Sequence, residues 1–318
     1  MDRNLALEFV RVTEAAAIAA ARWVGKGDPK AADKAAVDEM RDRFNQIEDF
    51  AAQVVIGEGE KDEAPKLFTG EVVGRGKEVT RDLAVDPLEG TDSVAHGRDN
   101  AIAVIVTGPK GTLLHAPDTY MDKIAVGPKA VGKIDLDASV ADNLTNIAKA
   151  LGKDIKDVTV VVLDRPRHEQ LVKEIKNAGA KVKFITDGDL AAAISACEPD
   201  SGVDVVMGTG GSTEAVLAAA PIKVFGGQQL VRFNPSIRND KDYILEYLKK
   251  SNITDINKIY TVEDLAQGNQ LTFTATGIIK GPLLDGVEFK DDKIITESIV
   301  VRGKSGTVRY IKTHHKIK

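Results

Sequence analysis

The sequence lacks several features that mark whole classes of protein. It has one cysteine, Cys197, so it can form no intrachain disulfide and no cysteine-rich zinc site. Its longest apolar stretches, such as residues 101–106, fall far short of the roughly 20 residues that a membrane span needs. It also lacks an excess of basic residues, since 43 Lys and Arg face 48 Asp and Glu. A weakly acidic chain with net charge −5 is a poor candidate for nucleic-acid binding, so we expect neither nucleic acid nor membrane as a partner.

What the sequence does contain is typical of a folded globular protein. Hydrophobic residues make up 43% and charged residues 29% of 318 positions, which is enough chain for two domains. The first residues lead into an amphipathic stretch interrupted by Arg11 and Glu14. This is not the pattern of a signal peptide, so we predict a cytoplasmic protein.

Hydrophobic spacing predicts a change of architecture along the chain. Two helices, over residues 2–24 and 31–48, precede short strands at 54–56, 82–85 and 101–107. Aliphatic strands at 158–163, 182–185 and 203–207 then alternate with helical segments, as in a parallel sheet with helical crossovers. We therefore predict an N-terminal metal-binding α+β domain over 1–155 and a βαβ substrate-binding domain over 156–270. Residues 271–318 are predicted as strands returning to the sheets, with a loose basic tail from His314.

Polar sequences follow the three alternating strands, at the sheet edge where ligands of α/β proteins bind. They are Arg165-Pro166-Arg167-His168, Asp187-Gly188-Asp189 and Gly208-Thr209-Gly210-Gly211-Ser212-Thr213. Arginine pairs suit phosphate, and a glycine-rich turn that opens a helix offers free backbone N–H groups. Each pattern alone is also typical of a plain turn or a solvated surface, but three along one edge predict a site for a polar anionic ligand.

Acidic residues in the first half point to a metal. Asp33 lies one turn before Val37 on the apolar face of the second helix, and Glu58 and Glu60 share one side of an extended chain. Asp86 and Glu89 bracket what reads as a Pro-Leu turn. Carboxylates suit Mg²⁺ or Mn²⁺ rather than zinc. The alternatives are a helix-terminal acid for Asp33, a solvated charge run for residues 58–63 and an ordinary β-turn for 86–91.

Metal-binding acids together with phosphate-binding basic residues predict metal-assisted hydrolysis of a phosphate ester. Thr91 directly follows the Asp-Pro-Leu-Glu-Gly stretch, so its hydroxyl could hold a water for attack. Asp62 is the natural candidate for the acid that takes up the proton of that water.

Residues 86–91 resemble the Asp-Pro-Ile/Leu-Asp/Glu-Gly-Thr motif of the lithium-sensitive, metal-dependent phosphatases. The wider pattern resembles bacterial class II fructose-1,6-bisphosphatase. The matching stretches run in order along nearly the whole chain: 5–13, 55–65, 116–123, 166–168, 187–189, 274–278 and 302–305. The resemblance implies an α/β sugar-phosphatase fold with α-β-α-β-α layers and two sub-domains. It also implies hydrolysis of the 1-phosphate of fructose 1,6-bisphosphate in gluconeogenesis, with two Mn²⁺ or Mg²⁺ ions and assembly into dimers or tetramers.

Carried over residue by residue, the resemblance also implies roles for individual side chains. One cation would be bound by Asp33 and Glu58, and the other by Asp86, Glu89 and Glu214. The sugar bisphosphate would contact Glu89, Gly90, Thr91, Tyr120, Arg165, Pro166, Arg167, Asp187, Gly188, Asp189 and Gly211. Asp62 with Thr91 would activate the attacking water.

The chain departs from the family pattern at two places. Pro29 and then Lys30 stand where the family often has a phosphate-binding lysine, and Asp92-Ser93 follow Thr91 where the family is often basic. Neither departure removes an implied metal ligand.

Three other functions compete with this interpretation. The first is a sedoheptulose-1,7-bisphosphatase or a dual sugar bisphosphatase. The second is a sugar-phosphate-binding module without catalysis. The third is a haloacid-dehalogenase-like phosphotransferase with Asp187 as the nucleophile, although Leu190-Ala191 after the Asp-Gly-Asp stretch disfavours it.

Overall fold

The computed structural model describes residues 5–59, 65–199, 201–237, 241–251 and 253–317. The first nine elements in chain order are α1 Leu5–Ala21, α2 Pro29–Phe44, β1 Ala51–Ile56, β2 Val72–Gly74, β3 Arg81–Glu89, α3 Thr91–His96, β4 Ala101–Pro109, β5 Tyr120–Val126 and α4 Val140–Leu151. The next seven are β6 Thr159–Leu163, α5 Glu169–Asn177, β7 Lys181–Ile185, α6 Asp189–Ser195, β8 Val205–Gly211, α7 Ser212–Phe225 and β9 Gln228–Phe233. The last seven are α8 Lys241–Lys250, β10 Tyr260–Thr261, α9 Val262–Leu265, β11 Thr272–Ile279, β12 Glu288–Phe289, β13 Lys293–Arg302 and β14 Thr307–Lys316.

The chain forms two compact units, and the first combines both ends of the sequence. Unit 1 comprises Met1–Leu113 and Gly268–Lys318. Its sheet has the order β12-β13-β11-β4-β3-β1-β2, with β14 paired to β13. Helices α1 and α2 pack on this sheet through a shared apolar core that includes Phe9, Met40 and Phe44. Helix α2 begins where the sequence places a cap, because the Asp28 side chain accepts the Ala31 N–H and Pro29 occupies the first turn.

Unit 2, Leu114–Gln267, contains the parallel strands that the sequence predicts. Its sheet has the order β10-β9-β5-β8-β6-β7, in which β6 runs parallel to both β7 and β8. The chain passes from β6 out to β7 and back across β6 to β8, so right-handed crossovers place α5 and α6 on opposite faces. The two units thus each contain a sheet covered by helices, which confirms the α/β class of the fold.

The contact-based division differs from the boundaries predicted at 155 and 270. The first change of unit falls after Leu113, because β5 pairs with β8 and β9 of unit 2. The change in the hydrophobic pattern near residue 155 marks the start of the parallel strands β6, β7 and β8. Strand β5 belongs to the same sheet but pairs with β8 and β9 in the antiparallel direction. The strands from residue 271 onward join the sheet of unit 1.

The prediction of a loose tail from His314 is wrong. Strand β14 pairs with β13 along ten residues, and His314 lies opposite Ile295. The segment is polar because β14 is largely exposed, and its alternating Val308, Tyr310 and other strand-favouring residues fit a half-exposed strand. Among the described helices, none is both long and apolar enough to cross a membrane.

Candidate active site

Unit 1 brings two of the predicted metal ligands together. Asp33 lies in the second turn of α2 and Glu58 lies two residues beyond the end of β1, and both are half-buried. Burial raises the pKa of Asp33, and burial together with the negative charge of Asp33 raises the pKa of Glu58 to about 8. Two carboxyl groups in this relation repel each other when both are ionised, and a bound cation would remove that repulsion.

Asp86 lies at the same sheet edge as Glu58. Strands β1 and β3 are parallel neighbours, with Ile56 opposite Ala84. Glu58 and Asp86 each stand two residues beyond that pair, so their strands deliver both side chains to one edge. Asp86 is half-buried, whereas Glu89, at the end of β3, is buried with 5% of its surface exposed.

The interpretation of residues 86–89 as a turn is wrong. Strand β3 runs through Glu89, and its register against β4 shifts between Asp86 and Glu89 as in a bulge. Pro87 fits within this irregularity, where a missing N–H is tolerated. The Leu88 N–H is satisfied instead by Oδ1 of Asp86, at 3.1 Å.

Gly90 and Thr91 connect this strand to α3. Gly90 has φ of 99°, and a Cβ there would lie 2.8 Å from the Asn100 carbonyl oxygen, so the position requires glycine. Thr91 is the first residue of α3 and is half-buried. Its hydroxyl makes no hydrogen bond to any residue that the structure describes, which leaves it able to hold a water.

The predicted base lies outside the described residues, whereas all five implied metal ligands lie within them. Asp62 and Glu60 fall outside the described residues. Within the described ranges, no three His, Cys, Asp or Glu side chains are gathered closely enough to hold a metal ion. The structure therefore shows the Asp33–Glu58 pair and the shared edge of Glu58 and Asp86, but no assembled ligand set.

In unit 2, the predicted glycine-rich turn is the end of strand β8, which pairs with β5 as far as Gly211. Two of its N–H groups are bonded within the protein: the Thr209 N–H donates to Nε2 of His168 and the Ser212 N–H to the Thr119 carbonyl. The glycines make room for side chains. A Cβ at Gly210 would lie 2.1 Å from Oδ2 of Asp189, and one at Gly211 would lie 1.8 Å from Oε2 of Glu214.

The space beside these glycines holds a cluster of charges, which we call the Lys123 cluster: Lys123, Asp189 and Glu214. Nζ of Lys123 donates to Oδ2 of Asp189 at 2.7 Å, and 8% and 11% of these side chains are exposed. Burial raises the pKa of Glu214, while the charge of Lys123 lowers it and that of Asp189 raises it. Oε2 of Glu214 also accepts the Thr213 hydroxyl at 2.9 Å. Glu214, an implied metal ligand, and Asp189, an implied sugar contact, are therefore electrostatic neighbours.

Arg167 and Tyr120 also come together, as the resemblance implies. The Arg167 guanidinium carbon lies 5.0 Å from the centre of the Tyr120 ring, and Nε donates to the Thr209 carbonyl at 3.0 Å. The terminal nitrogens of Arg167 donate to no side chain or carbonyl in the described part of the chain. Arg167 also lines a solvent-open cavity of about 240 Å³.

The other implied sugar contacts lie at the ends of β6 and β7. Arg165 donates to the Asp164 carbonyl, Pro166 begins a single 3₁₀ turn, and Gly188 caps α6 with φ of 78°. Asp187 accepts the Gly188 N–H at 3.2 Å. These residues surround the carboxyl ends of neighbouring parallel strands, the edge that the sequence predicts.

Two residues at this edge have no role in the sequence-based site, although both stand in the quoted motifs. His168 is buried and accepts the Thr209 N–H at 2.8 Å through Nε2, while Nδ1 lies 2.7 Å from the Leu163 carbonyl. Lys123 interrupts a buried row of β5 that also contains Met121 and Ala125. The sequence could have indicated Lys123, because it is a charged residue on an otherwise apolar strand face. No neighbouring residue in the sequence identifies Thr209 as the partner of His168.

Comparisons with known proteins agree over nearly the whole chain. Residues 3–315 match the family model described as bacterial fructose-1,6-bisphosphatase, glpX-encoded. The class 2 fructose-1,6-bisphosphatase of Haemophilus influenzae is 47% identical over 325 residues, covering 99% of this chain and 97% of that protein. Fructose-1,6-bisphosphatase 1 class 2 of Escherichia coli K12 is 45% identical over 324 residues, covering 99% and 96%.

Among solved structures, an IMPase of Thermotoga maritima matches with 13% identity over 62% of this chain and 74% of its own. The TM-score of 0.31 is too low to support an argument about the fold.

Proposed function

The chain belongs to the glpX-type family of bacterial fructose-1,6-bisphosphatases, and we propose that it hydrolyses fructose 1,6-bisphosphate to fructose 6-phosphate and inorganic phosphate. The observation that carries this proposal is the family match over residues 3–315, together with class 2 relatives at 45–47% identity that cover 99% of the chain. A match of this extent favours the bisphosphatase over a haloacid-dehalogenase-like phosphotransferase.

The substrate would be held at the end of the unit 2 sheet. Arg167 keeps two terminal nitrogens for a phosphate because Thr209 and Tyr120 engage only Nε and the face of the guanidinium. Asp187 and Asp189 would accept hydrogen bonds from sugar hydroxyls, with Arg165, Pro166, Gly188 and Gly211 completing the surface. The resemblance also assigns Glu89, Gly90 and Thr91 to the substrate.

The acidic residues suit hard divalent cations. Asp33 and Glu58 offer carboxylate oxygens whose mutual repulsion a cation would relieve, and they would hold one ion. Asp86, Glu89 and Glu214 would hold the other. Bound Mg²⁺ or Mn²⁺ would neutralise phosphoryl charge and lower the pKa of water.

Proton transfer would fall to Asp62 and Thr91. The Thr91 hydroxyl, at the start of α3, would orient the attacking water, and the Asp62 carboxylate would accept its proton. Gly90 contributes to this arrangement because its left-handed backbone turns the chain between the end of β3 at Glu89 and the start of α3 at Thr91.

Four finer points stay predictions from the resemblance. These are two cations per chain, a role in gluconeogenesis, location in the cytoplasm, and assembly as a dimer or tetramer.

Phosphate release from fructose 1,6-bisphosphate, measured with and without Mg²⁺ or Mn²⁺, tests the proposed function. The native chain should release phosphate only with the cation. Asp62→Ala and Glu89→Ala should each lose about 100-fold or more in kcat, because each removes a group that acts on the reacting atoms.

The matched control is Glu39→Ala, which removes an exposed carboxylate from α2 in the same unit. It should keep native rates. Release without any cation, or full activity in Asp62→Ala, would contradict the proposed roles.

A further inference from the structure

We infer that Lys123 is a positioning residue for substrate binding, which holds the Asp189 carboxylate in place as an acceptor for a sugar hydroxyl. The inference rests on the proposed function, in which Asp189 contacts the sugar. It adds to that function a residue outside the implied contacts, on a strand rather than on the ligand-binding edge loops.

The location of Lys123 is unusual for its charge. It lies in β5 on the same strand face as Met121 and Ala125, which are 0% and 1% exposed. A lysine buried on an apolar face is costly unless its ammonium group is paired. Its described partner is Oδ2 of Asp189, the first residue of α6, at 2.7 Å.

The glycine at position 210 shows that this pair shapes the strand beside it. An added Cβ there would lie 2.1 Å from Oδ2 of Asp189 and 2.9 Å from Nζ of Lys123. The position therefore excludes any larger residue while the pair is in place. This explains a glycine within β8 without recourse to phosphate binding.

Lys123 also offsets the repulsion between two like charges, those of Asp189 and Glu214. The Asp189 and Glu214 carboxylates disfavour each other when both are ionised, whereas the Lys123 ammonium group favours both charges. Without the ammonium group, the Asp189 carboxylate would move away from Glu214 or toward water. Asp189 would then no longer stand ready for a sugar hydroxyl.

The test compares Lys123→Met, Asp189→Asn and the double variant in the full-length enzyme. For Lys123→Met we expect the KM for fructose 1,6-bisphosphate to rise about tenfold or more, as when a buried charge loses its partner. The kcat should change less than the KM does, because Lys123 bonds directly to Asp189 and acts on Glu214 only through its charge. Because Lys123 acts through Asp189, the double variant should have the KM of Asp189→Asn alone.

Calorimetry should show the same pattern for fructose 6-phosphate and the metal-free protein. Lys123→Met should bind it more weakly than the native chain, and the double variant should bind it as Asp189→Asn does. This readout separates the two proposals. A native chain that binds fructose 6-phosphate but releases no phosphate from the bisphosphate would contradict the proposed function and leave the test of Lys123 in force.

Lys153→Met is the matched control, since Lys153 also pairs with an aspartate of unit 2, Asp204, at 2.6 Å. It removes a lysine–aspartate pair away from the Lys123 cluster and should leave KM unchanged. If Lys123→Met fails to fold, the comparison of Asp189→Asn with the double variant still decides. An unchanged KM in Lys123→Met, or a double variant about tenfold worse than Asp189→Asn, would overturn the inference.

Discussion

At the scale of single residues, burial determines how the acidic side chains behave. Asp33 and Glu58 are ordinary carboxyl groups whose positions raise their pKa values, because both are partly removed from water and face one another. Such a pair costs stability in the absence of a cation and becomes useful when one binds. The sequence predicts Asp33 on the inward face of its helix, but the pairing with Glu58 depends on how α2 packs against the sheet, where it contacts β3 and β2.

This repulsion gives a pH dependence that Glu58→Gln should remove. The folded pKa of Glu58, about 8, lies above its unfolded value of 4.5, so the metal-free folded state holds a proton across that range. The free energy of unfolding should therefore fall as pH rises from about 4.5 through about 8. Glu58→Gln should flatten this part of the profile and raise the melting temperature at alkaline pH.

Thermal unfolding of the metal-free protein from about pH 5 to about pH 9 measures the effect. Glu39→Gln, on the exposed side of α2, should keep the native profile. Parallel profiles for the native chain and Glu58→Gln would contradict the raised pKa.

At the scale of elements, the sequence predicts the main helices and the parallel strands well, because their apolar spacing is regular. It fails at the ends of β3 and β8, where proline and glycine read as turns. In the structure Pro87 stands in a bulge, and Gly210 and Gly211 keep strand pairing while leaving room for carboxylates. Both failures occur next to predicted site residues. The backbone conformation there depends on contacts with side chains that are distant in sequence, which local patterns do not reveal.

His168 links the end of β6 to the end of β8, so its loss should destabilise the end of β8. Its ring bridges the Leu163 carbonyl and the Thr209 N–H, and burial lowers its pKa below the ordinary 6.5. His168→Ala leaves a buried N–H without its acceptor, so we expect the free energy of unfolding to fall by about 1–3 kcal/mol. His168→Gln, which can offer an acceptor near Nε2, should recover part of that loss.

The lowered pKa of His168 also determines how the stability of the native chain depends on pH. The unfolded chain takes up a proton on this histidine below about pH 6.5 while the folded chain does not, so stability should fall as the solution becomes more acidic. Denaturant unfolding at neutral and mildly acidic pH measures both effects. Equal stability of His168→Ala and the native chain would show that the bridge contributes nothing.

At the scale of the whole molecule, the chain makes one unit from its two ends and the other from its middle. The sequence could not place the first boundary, because the partner strands of β5 lie some 80 and 110 residues further along the chain. The net charge of −5 bears on cation binding. Two bound divalent cations would add four positive charges and change it to −1. Part of the acidity is therefore assigned to a site that must become less negative before a bisphosphate binds.

We propose that the chain removes the 1-phosphate of fructose 1,6-bisphosphate by metal-dependent hydrolysis. Phosphorus NMR of this substrate, incubated with the native chain and Mg²⁺, tests it most directly because both phosphates are observed at once. We expect loss of the 1-phosphate signal and growth of inorganic phosphate beside fructose 6-phosphate, with no change when the cation is chelated. Formation of fructose 1-phosphate, or two unchanged phosphate signals in the presence of the cation, would contradict it.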